Sequence, residues 1–392
     1  MNPIKRSGAY TLFLLLLILF LSVFLSPARV LGSKRSWRPG SMALTSPSWR
    51  IMTLATGISH CYPSLALDTR NRPHIIYLDD GLQYAYKEGE GWHVETVDKV
   101  YWSEEISLAL DAFDTPHIAY SDSDKKILKY AYKDDDDWYI QTIDSDISAT
   151  LGVSTMSLTL DADDAPHIAY TGASKGLKYA HKMGDDWQIE VVTIAGEANH
   201  ISLALDSNGW PHISYKYQSD GEGKFGLKYV YKDNDGWHTD STLPYIRAVG
   251  ISLALDDANQ PHISYIKVTP AHPGVYLDLG YAYRDDSGWH TEILDNDTGE
   301  MTSMLFDHAG RLHISYTSWD DQNPGIKYAY RDGEGWQIEF VDPSPDTYFP
   351  SLALDDANQP HVSYTSFDDN GVRLLRYAWK PTTPLYLPFI MR

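Results

Sequence analysis

Seven histidines, each six residues after an aspartate, are the residues here whose types and spacing most resemble chemistry. The pairs are Asp68 with His74, Asp111 with His117, Asp161 with His167, Asp206 with His212, Asp256 with His262, Asp307 with His313 and Asp355 with His361. An imidazole beside a carboxylate is the material of a general acid–base couple or a metal site. Yet a catalytic centre is needed once, and a pair that recurs seven times serves the repeating unit. Each Asp and His flanks one short joint, where the two can hydrogen-bond and give a buried polar group the partner it requires. The pairs are therefore read as structural.

Chemistry used once must come from positions that do not repeat. Trp319 and Phe367 are each followed by two acids, Asp320 with Asp321 and Asp368 with Asp369. Tyr348 with Phe349, Tyr62, and Tyr101 with Trp102 lead into repeats seven, one and two. Flat aromatic faces beside carboxylates suit a sugar, whose C–H face stacks while its hydroxyls find acceptors. The same rings can instead pack their loops onto neighbouring repeats. For glycoside hydrolysis or a lyase step, Asp320, Asp368, Glu104 and Glu105 would be the carboxylates, but nothing in their spacing makes an acid and a base converge. There is no arginine cluster for a sialate carboxylate, no glycine-rich phosphate loop and no nucleophile elbow, so no catalytic residue is assigned. Asp134–Asp137 and Asp233-Asn234-Asp235-Gly236 bring calcium to mind. Calcium takes six to eight converging oxygens, however, and these stretches read as solvated hairpin tips. Cys61 is the only cysteine, which leaves no intrachain disulfide and no thiolate metal site. No cofactor is assigned.

The elements that must position these residues follow from an internal repeat. Ser-Leu-Ala-Leu-Asp or a close variant recurs with its Asp at the seven positions above, at spacings of 43, 50, 45, 50, 51 and 48 residues. A Tyr lies three residues beyond each His, then comes a Lys-Tyr-Ala-Tyr-Lys-like segment, an acidic glycine-rich turn and a Trp. Each copy reads as four short strands, A to D; in the first they are Ser64–Asp68, His74–Tyr77, Leu82–Lys87 and Trp92–Val97. Helical periodicity is absent. Four strands in 43 to 51 residues predict an all-β, seven-bladed propeller of antiparallel blades. Alternation predicts a bulky face (Leu65, Leu67, Ile75, Tyr77, Tyr84, Tyr86) and a slim one (Ala66, Ala85 and the position of Ile76), so that blades interdigitate. The seventh copy lacks its last strand after Trp379. Trp49, Ile51 and Leu54 reproduce the spacing of Trp92, Val94 and Val97, so an N-terminal strand is expected to complete the last blade. Closure makes repeats six, seven, one and two neighbours, and so gathers the aromatic loops into one sector. Two insertions, Gln218–Gly226 and Lys267–Leu279, lengthen the same face and are expected to wall a groove.

The Ser-Leu-Ala-Leu-Asp…Pro-His-Ile-Ser-Tyr…Leu-Lys-Tyr-Ala-Tyr…Gly-Trp repeat resembles a family of exported bacterial β-propeller repeat proteins over about residues 49–380. The resemblance implies the fold and an extracellular location, and brings no established reaction. More distantly the blades look like those of sialidase-like (BNR) and lectin propellers. The sialidase Asp-box is absent in its usual form; Asp285-Asp286-Ser287-Gly288-Trp289 only echoes it. An Asp and His network similar to the one inferred here braces WD-type propellers.

The ends of the chain suggest export. Lys5 and Arg6 precede an apolar run from Thr11 to Leu25, and small residues follow at Ser26, Ala28, Gly32 and Ser33, the pattern of a signal peptide. An uncleaved anchor is the alternative, and would be the chain's one membrane attachment. The expected organisation is a signal or anchor over 1–28, a linker over 29–48, the propeller over 49–380 and a tail over 381–392. Tyr-Leu-Pro in the tail looks like a sorting signal or a strand end packed on the ring. The first 50 residues hold seven basic and no acidic residues, leaving 25 basic against 53 acidic, a net charge of about −28. Such a surface repels nucleic acid. The reading is a secreted or cell-surface monomer that recognises a glycan or an extracellular protein without catalysis. The alternatives are a glycan-active enzyme of the sialidase-like or lyase kind and a purely structural envelope component.

Overall fold

The computed structural model describes residues 48–59, 62–100, 103, 106–147, 156–173, 176–194, 196–218, 225–240, 243–271, 274–320 and 322–381. The N-terminal apolar run, Cys61 and the tail beyond Pro381 lie outside them. The chain divides into two units. Of Met1–Leu44 with Ala271–Gly274, only Ala271 and Gly274 are described; the account below concerns Thr45–Pro270 with Val275–Arg392.

Each repeat folds as a four-stranded antiparallel meander, and there are seven such sheets. Blade 1 comprises Ser64–Leu67, Pro73–Asp79, Gly81–Glu88 and Gly91–Asp98, a little longer at the outer strands than alternation predicts. The Asp that ends every A strand builds the turn that follows. Its Oδ1 accepts the backbone N–H groups two and four residues on, Arg70 and Arg72 for Asp68, and likewise in the other six copies. The third residue after each Asp takes a left-handed conformation and is always Asn, Asp or Gly: Asn71, Asp114, Asp164, Gly209, Asn259, Gly310 and Asn358. These residue types tolerate positive φ, which explains the Asp-x-x-(Asn/Asp/Gly)-x-Pro-His pattern, kept with Leu312 in place of Pro in the sixth copy.

The innermost strands contact one another in cyclic order, the last (Tyr348–Leu354) meeting the first (Ser64–Leu67). The repeated serine accounts for this inner ring. Ser64 Oγ accepts the N–H of Leu108 at 3.1 Å, Ser107 that of Leu158, Ser157 that of Leu203, Ser202 that of Leu253, Ser252 that of Met304, Ser303 that of Leu352, and Ser351 that of Leu65. Seven identical bonds thus tie each blade to the next. We expect Ser157→Ala to cost about 1 kcal/mol, the worth of one such bond, as a lowered midpoint in urea unfolding.

Ring closure is by the N-terminal strand, as expected. Arg50–Thr56 pairs antiparallel with Arg373–Trp379, with Arg50 opposite Trp379 and Met52 opposite Tyr377, and stands as the outer strand of blade 7. A second ring of contacts repeats the same closure. The Trp that opens each D strand meets the preceding blade's strand C tyrosine edge to face: Trp138 on Tyr84, Trp187 on Tyr130, Trp237 on Tyr179, Trp289 on Tyr229, Trp336 on Tyr281, Trp49 on Tyr328 and Trp92 on Tyr377. Trp49 takes the seventh place at 5.5 Å and 76°.

The assignment of one bulky and one slim face is corrected by the register. Ile75 pairs with both Leu65 and Ala85, and Ile76 with Tyr84. Residues directly opposite in a sheet share a face, so Leu65, Ile75, Tyr77 and Ala85 face blade 7, where they meet Leu375, Tyr377 and Ala353. Ala66, Ile76, Tyr84 and Tyr86 face blade 2 and meet Leu108, Ile118, Tyr120 and Ala131. Near the axis the small residue belongs to one blade, and farther out to its neighbour. Interdigitation therefore holds, but through faces that change from small to large between strands B and C.

Candidate functional site

The A–B and C–D turns emerge on one face of the ring, and the D–A and B–C connections on the other. The Asp–His pairs belong to the A–B side. His Nε2 lies 3.2–3.4 Å from the Asp Oδ2 in blades 1, 2, 3, 5 and 6. In blade 7, His361 stands 3.8 Å from Asp355. In blade 4 the Oδ2 of Asp206 instead accepts from the side chain of Asn208 at 3.3 Å. In all seven blades the imidazole Nδ1 meets the hydroxyl of a strand C tyrosine: Tyr84, Tyr130, Tyr179, Tyr229, Tyr281, Tyr328 and Tyr377. With Nε2–H turned to the carboxylate, Nδ1 accepts and the tyrosine donates, a chain that suits a neutral imidazole. Burial pushes His74, His117, His167, His262 and His313 below the ordinary histidine value, against the pull of their aspartates, and His212 down to about 4. Among the described residues no group of three or more His, Cys, Asp or Glu side chains is arranged to hold a metal ion.

On the opposite face the aromatic loops of blades 6, 7 and 1 come together. Tyr62 packs on Phe349 with ring centroids 4.1 Å apart, and Phe349 lies 5.9 Å from Tyr348. Tyr348 in turn meets Trp319 at 6.5 Å and Phe367 at 6.1 Å, both edge to face. Trp319 is the most open of the five, 39% exposed; the other four are half-buried. Tyr101, Trp102, Glu104, Glu105 and Asp321 lie outside the described residues. The carboxylates of Asp320 and Asp368 close their own loops. Asp320 accepts from Gln322 N–H and Asn323 Nδ2, each at 2.9 Å, and Asp368 from the N–H groups of Asn370 and Val372 at 2.9 and 2.8 Å. Burial pushes Asp320 up, but the bonds from Asn323 and Gln322 outweigh it and hold the carboxyl low; the Val372 and Asn370 N–H groups do the same for Asp368. Neither is poised as a general acid.

Tyr62 and Phe349 also stand where a central channel begins, a cavity of about 150 Å³ whose wall includes Ser64, Ser107 and Ser157 of the serine ring. Four inner strands are bulged just before that ring, with breaks in register at Asn199/Ser202, Val249/Ser252, Thr298/Thr302 and Tyr348/Ser351. The bulges leave His200, Gly250 and Phe349 at φ of 49°, 56° and 58°. A bulge re-aims side chains, and a left-handed conformation at a bulky residue costs of order 1–3 kcal/mol.

At the first of these bulges one group has no counterpart in the repeat. His200 is buried, and its Nδ1 accepts the N–H of Gly250 at 3.2 Å, which places the imidazole proton on Nε2. Burial pushes it down to about 3, with the Lys216 charge adding to the effect. Burial also lowers Lys216, paired across strands with Asn199, and raises Glu300, while the charge of each of these two opposes the other's shift. Glu300 reaches solvent but has protein on most sides. The sequence signal for this group is slight: a histidine two residues before the serine of one Ser-Leu-Ala-Leu-Asp copy, a position where no other copy has one.

Seven closed four-stranded sheets make this chain a seven-bladed β-propeller. No family model matches the chain, and no curated protein does. Among solved structures it is similar to an ulvan lyase of polysaccharide lyase family 25, with a TM-score of 0.56 and 11% identity over 81% of this chain and 93% of that one. A structure of such a lyase bound to a GlcA(1-4)Rha3S unit gives 0.55 and 11% over 82% and 95%. A triple mutant of AofleA from Arthrobotrys oligospora gives 0.50 and 14% over 75% and 90%. At these identities the likeness is one of fold alone.

Proposed function

We propose that the chain is an exported recognition propeller that binds carbohydrate on the face formed by the D–A and B–C loops of blades 6, 7 and 1. The observation that carries this reading is the cluster of five touching rings from three blades, with Trp319 open to solvent at its edge and Phe349 held in a left-handed conformation beside the channel mouth. Backbone strain kept at an aromatic residue on a loop face points to a surface shaped for a ligand. Stacked rings on a rigid scaffold also bind with little loss of side-chain freedom. The signal-like N-terminus supports export. The ulvan lyases, which act on a polysaccharide, lend the fold and no site residue. The Asp–His–Tyr chains of the other face brace the blades.

Glycan-array binding tests this. A defined set of glycans is expected to bind the wild type, and Trp319→Ala to weaken them about 5- to 30-fold, the effect of removing an anchoring ring worth 1–2 kcal/mol. A blank array, or equal binding by the variant, would replace the reading with a protein ligand or a structural role.

A second reading, a glycan-active enzyme, is favoured by one observation: a raised carboxyl and a lowered ammonium, Glu300 and Lys216, act on each other, and such opposed shifts cluster at active sites. Release of new chain ends from an array-selected glycan, lost in Glu300→Gln, would establish it.

A further inference from the structure

We propose that a groove between blades 4 and 5 binds an acidic saccharide through its carboxylate or sulfate, with Arg247 and Lys267 as the anion-binding cations. This site is separate from the aromatic face and does not depend on it.

The groove exists because blade 4 is cut short. Its outer strand, Gly236–Thr239, has four residues where those of blades 1, 2, 3, 5 and 6 have eight. The chain beyond it crosses the end of strand C, where Leu227 N–H donates to the Ile246 carbonyl at 2.7 Å and the Tyr245 hydroxyl to the Phe225 carbonyl at 2.8 Å. On the far side the strand B of blade 5 is drawn out to ten residues, Pro261–Pro270. The cavity between them measures about 500 Å³, and its wall includes Tyr245, Arg247, Lys267, Val268 and Ile293. That volume lies within the usual range of small-ligand sites. Of the Lys267–Leu279 insertion, Lys267, Val268, Thr269 and Pro270 line this groove; of Gln218–Gly226 only Gln218, Phe225 and Gly226 are described.

The charges are the second observation. Six lysines elsewhere on this acidic ring end on carboxylates: Lys129 on Asp98, Lys133 on Glu95, Lys178 on Asp144, Lys232 on Glu190, Lys327 on Asp295 and Lys380 on Glu339, all at 2.6–2.8 Å. Among the described residues Arg247 and Lys267 form no ion pair. Arg247 is half-buried, and its Nε is fully buried without a hydrogen-bond partner. Its guanidinium lies 4.5 Å from the Phe225 ring centroid, and the ammonium of Lys216 lies 5.0 Å from the same centroid. Arg247 thus stands between the Phe225 ring, which it shares with Lys216, and the groove wall, which it shares with Lys267.

The nearby carboxylates make no ion pair with Arg247 or Lys267 among the described residues. Glu292 in the groove wall accepts from Trp336 Nε1 at 3.0 Å. Asp278, opposite Lys267 in the sheet, is pushed up by burial and by Asp297 against the pull of the Lys267 charge. Glu197 and Glu300 act on Lys216. Burying a cation without a partner is costly, and a planar guanidinium at a cavity wall is suited to a two-oxygen anion. Tyr245, 69% exposed, with Val268 and Ile293, offers the apolar surface a sugar ring needs beside its acid group.

Calorimetric titration tests the site with three probes: a galacturonic acid trisaccharide, its methyl ester, and a sulfated galactose disaccharide. We expect the free acid, the sulfated sugar or both to bind, the ester to bind at least tenfold more weakly than the acid, and added salt to weaken the interaction. Which acidic probe binds identifies the anion as carboxylate or sulfate. Arg247→Ala should weaken binding tenfold or more and Lys267→Ala several-fold, while Trp319→Ala leaves it unchanged. Because Arg247 is partly buried, Lys267→Glu serves as the second variant, and melting temperatures establish that each variant is folded. The proposal is overturned if neither acidic probe binds, if acid and ester bind alike, if folded Arg247→Ala and Lys267→Glu bind as the wild type does, or if Trp319→Ala abolishes the signal.

Discussion

Removal of residues 45–56 is expected to abolish the cooperative unfolding of the ring. The deleted strand supplies the whole outer edge of blade 7, pairing from Arg50 opposite Trp379 to Thr56 opposite Leu374. Trp49 packs on Tyr328 of blade 6, and its Nε1 donates to Glu339 at 3.2 Å, the same carboxylate that holds Lys380 at 2.6 Å. Met52, Leu54 and Ala55 pack against the cluster that joins blade 7 to blade 1. These side chains are half-buried, so each large one contributes toward the lower end of about 1.5–3 kcal/mol. Together with an unpaired edge left along Arg373–Trp379, the loss is comparable with the roughly 5–15 kcal/mol of net stability a domain possesses. Calorimetry of the truncated chain should show a broad transition at much lower temperature, or none. A sharp transition at the wild-type temperature would mean that the ring holds without this strand.

Acid is expected to unfold the protein well before its carboxylates titrate. His74, His117, His167, His212, His262 and His313 of the repeat, with His200, all have folded values below the ordinary 6.5, and burial is the leading cause in each. A histidine with a depressed value takes up its proton more readily in the unfolded chain. Its contribution is therefore whole above pH 6.5 and is lost as pH falls from there toward the folded value. The loss approaches about 1.4 kcal/mol per pH unit for each such group. His212, pushed down to about 4, removes roughly 3 kcal/mol over that window by itself. The aspartates Asp68, Asp111, Asp161, Asp307 and Asp355 are held low, so their contribution disappears only below pH 3.8. The melting temperature should be flat from pH 8 to 7 and fall steeply between 6 and 4. A midpoint unchanged down to pH 4 would show that these imidazoles are not buried neutral.

Much of the fold was legible because the repeat carries its own punctuation. The Asp at the end of strand A, a left-handed residue three places on and the His six places on together mark one turn seven times, and the missing last strand pointed to Trp49. What no single repeat displays is a relation between repeats. The repeated serine was visible as a motif, but its function is to accept an N–H from the next blade. The faces were misread for a similar reason. Alternation within a strand tells odd from even residues, whereas the register of Ile75 against Ala85 decides which sets share a side. At the loops, the five aromatic residues could be gathered from sequence because ring closure makes blades 6, 7 and 1 neighbours. Asp320 and Asp368 read as free carboxylates beside those rings; in the structure they cap their own turns, the usual competing use of a short acidic side chain. His200, Lys216 and Glu300 escaped notice because a bulge sets where the first of them points, and the residues before each serine follow no shared pattern.

Fluorine resonances of the protein labelled with 5-fluorotryptophan test the central claim, that the aromatic loops of blades 6, 7 and 1 receive the glycan. The chain has 12 tryptophans, and Trp319→Phe assigns the one at the edge of the cluster. On titration with a glycan chosen from the array, the Trp319 resonance should move to a saturating limit, while those of Trp138, Trp187, Trp237, Trp289 and Trp336, locked between blades, stay in place. A Trp319 signal that does not move while bound glycan is measured in the same tube would put the ligand elsewhere on the ring and contradict the account.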